Sequence, residues 1–370
     1  MTNRFSPLTS RRTLVGGLIA LGASPGRLVA APAGDRLIAG TYASEGGPGL
    51  VQLQASDEGW ATGTAHPAIK NASFGVASPL HRLRYLLEEQ TSGTMSVYTP
   101  SFERLGTVST GGADPCHAAL SPDHRMVAVA NYSSGSVALW SLNPATGLPI
   151  GQAQMVTHQG SGPDTQRQTG PHAHWVGFTD KGATLHAVDL GADAIFAHRI
   201  DRGTGRVTDT IMAYRAEAGS GPRHLARHPR LPIAYLVAEL ANTVTVLRAS
   251  RDGTFRRQAT HSTLPNGFSG ESSSAHISLS HSGKRLYVSN RGHDSIAVYA
   301  VEKDGGLQLM QHVSCGGHWP RFFLLREDRR EMLVANERSG SVARLLLRRD
   351  GTLRTATGQT QLPGVVFLGS

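Results

Sequence analysis

The chain has 370 residues, a formal charge of +9 and only two cysteines. Its lysines and arginines are spread over predicted loops, with no basic run and no basic helix interleaved with aromatics, which removes the electrostatic footprint of a nucleic-acid binder. Two cysteines also exclude a disulfide-built scaffold.

From the N-terminus, Ser10, Arg11, Arg12, Thr13 and Leu14 form a twin-arginine signature. A mildly apolar run from Leu14 to Ala23 follows, then small residues through Ala33. That run is too short to span a bilayer and has the order of a signal peptide, so residues 1–33 are expected to direct export by the twin-arginine route, with cleavage near Ala30 to Ala33. The expected location is periplasmic or secreted. No cysteine lies near the cleavage region, so no lipid anchor to the membrane is expected. Without residues 1–31 the formal charge falls to +5.

Residues 34–370 are expected to form a single domain. Leu37 to Tyr42 and Leu50 to Gln54 read as strands around the glycine-rich turn Glu45 to Gly49. Six repeats follow, each with a short strand, a polar turn, a second apolar strand ending at Glu88, Asn131, Asp189, Ala238, Asn290 or Asn336, and a third alternating strand such as Ser295 to Ala300. These ends are 43 to 58 residues apart, the period of four-stranded propeller blades and not of helical repeats. Gly364 to Leu368 is a lone apolar strand at the far end, and a ring must close to leave no open sheet edges. Pairing that last strand with the first strands of the chain completes a blade. The expectation is an all-β, seven-bladed β-propeller with four-stranded antiparallel blades.

In a hairpin, the start of the first strand lies beside the end of the second. Innermost strands are therefore expected to bring Ser73, Cys116, His174, Arg223, Ala275 and Arg321 to one mouth of the channel. Glu89, Tyr132, Leu190, Glu239, Arg291 and Glu337, one position past each strand end, should join them. Three arginines, three glutamates and a histidine are far more charge than idle strand ends carry. In a functional mouth the charges are expected to be solvated at a rim and to add little to folding; the competing reading is an ion-pair ring that fastens the blades. Cys116 and Cys315 sit well apart around the ring and are expected to be unpaired.

Two loops feed this mouth. Gly160 to His174 carries Arg167, His172 and His174, and Leu264 to His276 carries Glu271 and His276. His172 and His174 share a strand face, a spacing also found in metal sites, but their expected neighbour is cationic Arg223, so no metal is expected. Phosphate-binding glycine loops and a GxSxG nucleophile elbow are absent from residues 34–370.

The strings PCHAALSPDHRMVAVANYSSGSVALW, GPHAH, DLGAD, GSGPRHL, LPNGFSGE and LYVSNRGHDSIAVY resemble the seven-bladed lactonase family, which includes propeller-type 6-phosphogluconolactonases and carboxy-muconate cyclases. The resemblance covers nearly all of residues 37 to 368 and implies lactone chemistry at the charged mouth without a cofactor. It places functional residues at the histidine of GPHAH (His172 or His174, register favouring His174), Arg223, Glu239 and Arg291. Glu89, His117, Arg167, His224 and Glu271 are candidates for holding substrate, as are His276, His293, Arg321 and Glu337. The family usually has Asn where this chain has Ala238, and Glu where it has His276. Lactone opening needs a base for water and positive charge where the carbonyl oxygen becomes an oxyanion, and these residue types supply both. The expected function is hydrolysis of a sugar lactone, either 6-phosphogluconolactone or an unphosphorylated aldonolactone. The alternatives are a cycloisomerase using the same groups and a non-catalytic binding propeller. A small-molecule lactone is the expected partner, and the chain is expected to be a monomer.

Overall fold

The computed structural model describes residues 36–56, 59–179 and 181–370; the expected signal segment lies outside them. Seven four-stranded antiparallel sheets form the blades of a propeller. Blades 1 to 6 take their innermost strands from Gly75–Ser78, Pro115–Leu120, Ala173–Phe178, Pro222–Arg227, Ser273–Leu279 and Pro320–Arg326. Blade 7 is the composite one: Val365–Gly369 is innermost and pairs with Arg36–Thr41, followed by Leu50–Ser56 and Gly59–His66. The closure expected from the sequence is therefore present.

Apolar alternation explains where the core lies. Second strands are buried along nearly their whole length, as in Met126–Asn131 and Ile233–Ala238, and third strands over most of theirs, as in Ser136–Ser141. Their side chains fill the seams between neighbouring sheets. One such seam is built by Tyr85, Leu87, Val97, Val127, Val129 and Trp140 between blades 1 and 2. Another is built by Ile38, Leu50, Leu86, Tyr98 and Phe367, where blade 7 meets blade 1. Outermost strands are exposed and polar, as in Arg206–Arg215 and Phe255–Ser262, which blunts the sheet edges that closure of the ring does not remove.

In blades 2, 3, 5 and 6 the residue at the end of the second strand ties one blade to the one before. Asn131 donates through Nδ2 to the Thr110 carbonyl, just past the outermost strand of blade 1, and to Ser136 Oγ. Asn290 does the same with Thr263 and Ser295, and Asn336 reaches the Cys315 carbonyl. Blade 3 inverts the polarity, with Asp189 Oδ2 accepting from His158 Nδ1 at 2.7 Å. Blade 4 has Ala238 here, and a cavity of about 210 Å³ lined by Ala216, Ser220, Ala238 and Thr243 opens in that seam. The departure at Ala238 is thus a feature of blade packing.

Innermost strands carry an irregularity that decides the geometry of the mouth. Pairing shifts register between Pro115 and His117, Ala173 and Trp175, Pro222 and His224, and Pro320 and Phe322. A regular strand sends successive side chains to opposite faces, whereas a bulge re-aims one of them. Here both the bulged residue and the next one face the channel, so blades 2, 3, 4 and 6 each contribute a mouth residue and a residue beneath it. Cys116 and Cys315 are both free and buried.

Candidate active site

Glu239 is the hub of the mouth. Its N–H donates to the Gly221 carbonyl at 2.7 Å, which sets it beside the bulged Arg223 as the hairpin geometry requires. Its carboxylate accepts from Arg167 Nη2 at 2.7 Å on one oxygen and from Arg223 Nε at 2.9 Å on the other, which also forms an ion pair with Arg291 Nη2 at 2.9 Å. Arg223 also donates to the Ala275 carbonyl, and Arg291 to the carbonyls of Ser273 and Ser274. Burial pushes the Glu239 pKa up, but Arg291, Arg223, His174 and Arg167 outweigh it and hold the carboxyl well below its usual range. Glu239 is thus a permanent anion and no proton acceptor. Burial and Arg291 pull Arg223 down to about 10, so it stays charged near neutrality. Three guanidiniums on one carboxylate leave this side of the mouth with a surplus of two positive charges.

A second, acidic cluster shares the mouth. Arg321 Nη2 donates to Tyr42 Oη at 2.6 Å, and Tyr42 in turn donates to Glu89 Oε2 at 2.8 Å. Arg321 also pairs with Glu89 at 3.8 Å and Glu337 at 3.9 Å. Burial raises the Tyr42 pKa well above its ordinary value, so the phenol keeps its proton for Glu89. The expectation of a solvated rim needs correction at the hub: Arg223, Glu239 and Arg291 are only 3 %, 3 % and 6 % exposed. The bulge draws these strand ends inward, and loop 160–172, which carries the more exposed Arg167, packs over them.

His172 and His174 have different surroundings. His172 stacks on Tyr132, with ring centroids 4.6 Å apart, and its Nδ1 faces the Tyr132 carbonyl at 3.1 Å. A carbonyl only accepts, so Nδ1 carries the proton and Nε2 keeps its lone pair. The His172 backbone N–H is held by Asp189 Oδ1 at 2.7 Å. Tyr132 Oη accepts from Arg167 Nη2, linking this imidazole to the Glu239 hub. Gly191 permits the approach, since a Cβ there would lie 1.9 Å from the Gly170 oxygen and 2.8 Å from His172 Cδ2. His174 is buried, with Nδ1 at 3.7 Å from Cys116 Sγ, and burial together with Arg223 depresses its pKa strongly.

Beneath the mouth lies an aromatic floor with one ring from each blade: Phe74, His117, Trp175, His224, His276, Phe322 and Phe367. Neighbouring rings pack at 4.2 Å for Phe74 and His117, 5.6 Å for His117 and Trp175, 5.4 Å for His224 and His276, and 4.3 Å for His276 and Phe322. Arg223 Nη1 faces His224 Nε2 at 3.1 Å, and His224 Nδ1 faces His276 Nδ1 at 3.2 Å. Arginine only donates, so His224 accepts at Nε2 and passes its own proton toward His276. Burial is the first cause that keeps His117, His224 and His276 neutral, with His276 pulled down to about 3.

The matching family model, described as "Lactonase, 7-bladed beta-propeller", spans residues 36–368. The chain belongs to this lactonase family. It is 31% identical over 340 residues to the 6-phosphogluconolactonase of Bacillus subtilis, covering 88% of this chain and 94% of that one. A periplasmic gluconolactonase of Pseudomonas aeruginosa matches with a TM-score of 0.82 at 28% identity, covering 90% of this chain and 98% of that one. A structure from Lactobacillus plantarum matches with a TM-score of 0.82 at 26% identity over 91% and 99% of the two chains. Family membership carries lactone hydrolysis as the class of activity.

Within this family member, the structure brings together His172, His174, Arg167, Arg223, Glu239 and Arg291 on the cationic side, and Glu89, Arg321 and Glu337 on the acidic side. His117, His224 and His276 are floor residues. Glu271 and His293 join neither cluster: Glu271 is exposed, and His293 bonds Ser295 Oγ and packs edge-on against Phe268. Sequence reasoning did not single out Tyr42, which lies in the composite blade outside the six repeats, or Asp189 as the clamp on His172. Among the described residues no group of three or more His, Cys, Asp or Glu side chains is arranged to hold a metal.

Proposed function

We propose that the protein hydrolyses a sugar lactone at this mouth, with His172 as general base and the guanidiniums around Glu239 as the electrostatic partner of the developing oxyanion. The observation that carries the reading is the pairing of a tautomer-fixed imidazole with a hub of net positive charge, joined through Tyr132 and Arg167. Water attacks the lactone carbonyl carbon while His172 Nε2 takes its proton; the carbonyl oxygen gains the charge and faces the arginine side. Collapse of the tetrahedral intermediate breaks the bond to the ring oxygen, and the imidazolium returns the proton to that oxygen, giving the free hydroxy acid. Arg167 is the half-exposed member of the trio and engages Glu239 and Tyr132 through Nη2, so its other N–H groups face incoming ligand. His174 is assigned to packing because its depressed basicity makes it a weak proton acceptor.

The proposed substrate is an unphosphorylated aldonolactone. Its support is the twin-arginine signature at Arg11 and Arg12 together with the Pseudomonas relative described as a periplasmic gluconolactonase, since phosphorylated sugars are made inside the cell. A pH-stat assay with D-glucono-1,5-lactone, its 6-phosphate and a muconolactone ranks the readings. Hydrolysis of the first above the buffer rate is expected, and His172→Gln should lower kcat/KM by about 10² to 10⁴. Acceleration of none of the three would leave a binding propeller as the better reading, and faster turnover of the muconolactone would favour the cycloisomerase.

A further inference from the structure

Five of the seven innermost strands are entered through a residue with left-handed backbone two positions before the mouth residue. These are Asn71 (φ 48), Asp114 (φ 53), Gly221 (φ 59), Trp319 (φ 69) and Gly364 (φ 65). Glycine, asparagine and aspartate tolerate this conformation; for a bulky side chain it is an outlier. The surrounding clamp is the same in blades 4 and 6. Asp193 Oδ1 accepts from the Gly221 N–H at 2.8 Å, and Asp294 Oδ1 accepts from the Trp319 N–H, also at 2.8 Å. The carbonyls of Gly221 and Trp319 each accept from the mouth glutamate that follows, Glu239 and Glu337. The fold therefore asks for a glycine-like residue at 319 and holds a tryptophan there against backbone strain, the situation in which strain points to a task.

The indole lies where the two clusters meet. Arg291 of the Glu239 hub has its guanidinium carbon 5.6 Å from the ring centroid, and the exposed Arg338 lies over the ring at 3.3 Å. A cation on an aromatic face at an exposed site is weakly held and easily replaced. Sugar rings carry a face of axial C–H groups that packs on aromatic surfaces, while their hydroxyls look for the polar partners supplied on both sides here. We propose that Trp319 is a substrate-binding residue, the platform for the apolar face of a hexose-derived lactone ring, with Arg338 moving off the indole as the sugar takes its place. The inference rests on the lactonase reading and adds the residue that would orient the ring above the hub.

The test compares the wild type with Trp319→Gly and Trp319→Phe, using D-glucono-1,5-lactone for kinetics and the hydrolysis-resistant D-glucono-1,5-lactam as a fluorescence probe. A saturable change in tryptophan emission is expected in the wild type and its loss in both variants, because the reporting indole is gone. KM should rise tenfold or more in Trp319→Gly with a smaller change in kcat, and Trp319→Phe, which keeps a ring, should recover most of it. The melting temperature of Trp319→Gly should equal or exceed that of the wild type, since glycine relieves the left-handed strain. A structural tryptophan predicts the reverse, a clear loss of melting temperature with KM unchanged, and that result overturns the proposal. If the wild type turns over lactone while Trp319→Gly has wild-type KM, the platform is wrong and the lactonase reading stands. If the wild type turns over no lactone, the lactonase reading fails, and an emission unmoved by the lactam would overturn the platform as well.

Discussion

Replacing Glu239 with Gln tests the physical centre of the site. The substitution keeps the volume and removes the one charge that three guanidiniums share at 2.7 to 2.9 Å. Breaking a buried ion pair from one side costs about 3–5 kcal/mol, because the partner charges remain in a poorly solvated place. Arg167 is the most exposed of the three and can turn toward water, so the lower end applies, about 3 kcal/mol. For a domain larger than 150–250 residues this corresponds to a melting temperature lowered by roughly 6 °C. Arg167 and Arg223 lose their common anchor as well, so kcat/KM per folded molecule should fall at least tenfold, about 1.4 kcal/mol. The pH dependence supplies the control. A carboxyl whose folded pKa is depressed contributes stability above its unfolded pKa near 4.3, and that contribution is lost as pH falls toward the folded value. The gap in unfolding free energy between wild type and Glu239→Gln should therefore be full at pH 7 and about 1 kcal/mol smaller at pH 3.5. Urea titrations at both pH values, with activity measured below the shifted melting temperature, read all three quantities. Unchanged stability together with unchanged kcat/KM would refute the reasoning that the arginines depend on this carboxylate.

Buried histidines predict steep acid unfolding. His276 in the floor (to about 3), and His186 and His198 in the second and third strands of blade 3 (to about 4 and to about 3), have folded pKa values depressed chiefly by burial, so each contributes stability that is full above the unfolded value near 6.5 and lost as pH falls below it, at about 1.4 kcal/mol per pH unit. His276→Phe, packed against Phe322 and Phe323, should flatten the fall of urea midpoint between pH 6.5 and pH 4 by about one histidine's share; an unaltered slope would place the acid sensitivity elsewhere. Ala238→Asn should restore the missing tie to the Ala216 carbonyl across the cavity in its seam and raise stability by about 1 kcal/mol, the net value of a typical hydrogen bond. A lower melting temperature in that variant would mean the cavity is too constrained for an amide.

Much of the fold was legible because it repeats. Spacing alone located the six full blades, and the stray strand at 364–368 completed the seventh by the logic of ring closure. The proximity of Arg223 to Glu239 followed from hairpin geometry. Three features did not follow. Burial of the hub depends on the register shift between Pro222 and His224, and a one-residue bulge leaves no reliable mark in a single sequence. Separating His172 from His174 required knowing which ring meets a backbone carbonyl, a contact 40 residues away in the chain. The structural role of the Asn131, Asn290 and Asn336 position was hidden for a related reason: its partner lies in the preceding blade, so the residue looks like a strand end until the seam is seen.

The bulge also explains how chemistry can coexist with stability in this architecture. It turns two consecutive side chains of the innermost strands of blades 2, 3, 4 and 6 toward the channel, so charge at the mouth and rings in the floor are set by adjacent residues, as in Arg223 and His224 or Arg321 and Phe322. The seams that hold the blades draw on the second and third strands and share no side chain with the Glu239 hub. Substitutions at the mouth therefore reach the seams only through electrostatics, as Glu239→Gln would. Substitutions at the preceding left-handed position act through backbone strain, as Trp319→Gly would. Stability should fall in the first and hold or rise in the second, while activity falls in both. A molecule in which mouth and seams were one cooperative unit would not permit that divergence, and measuring both variants side by side distinguishes the two arrangements.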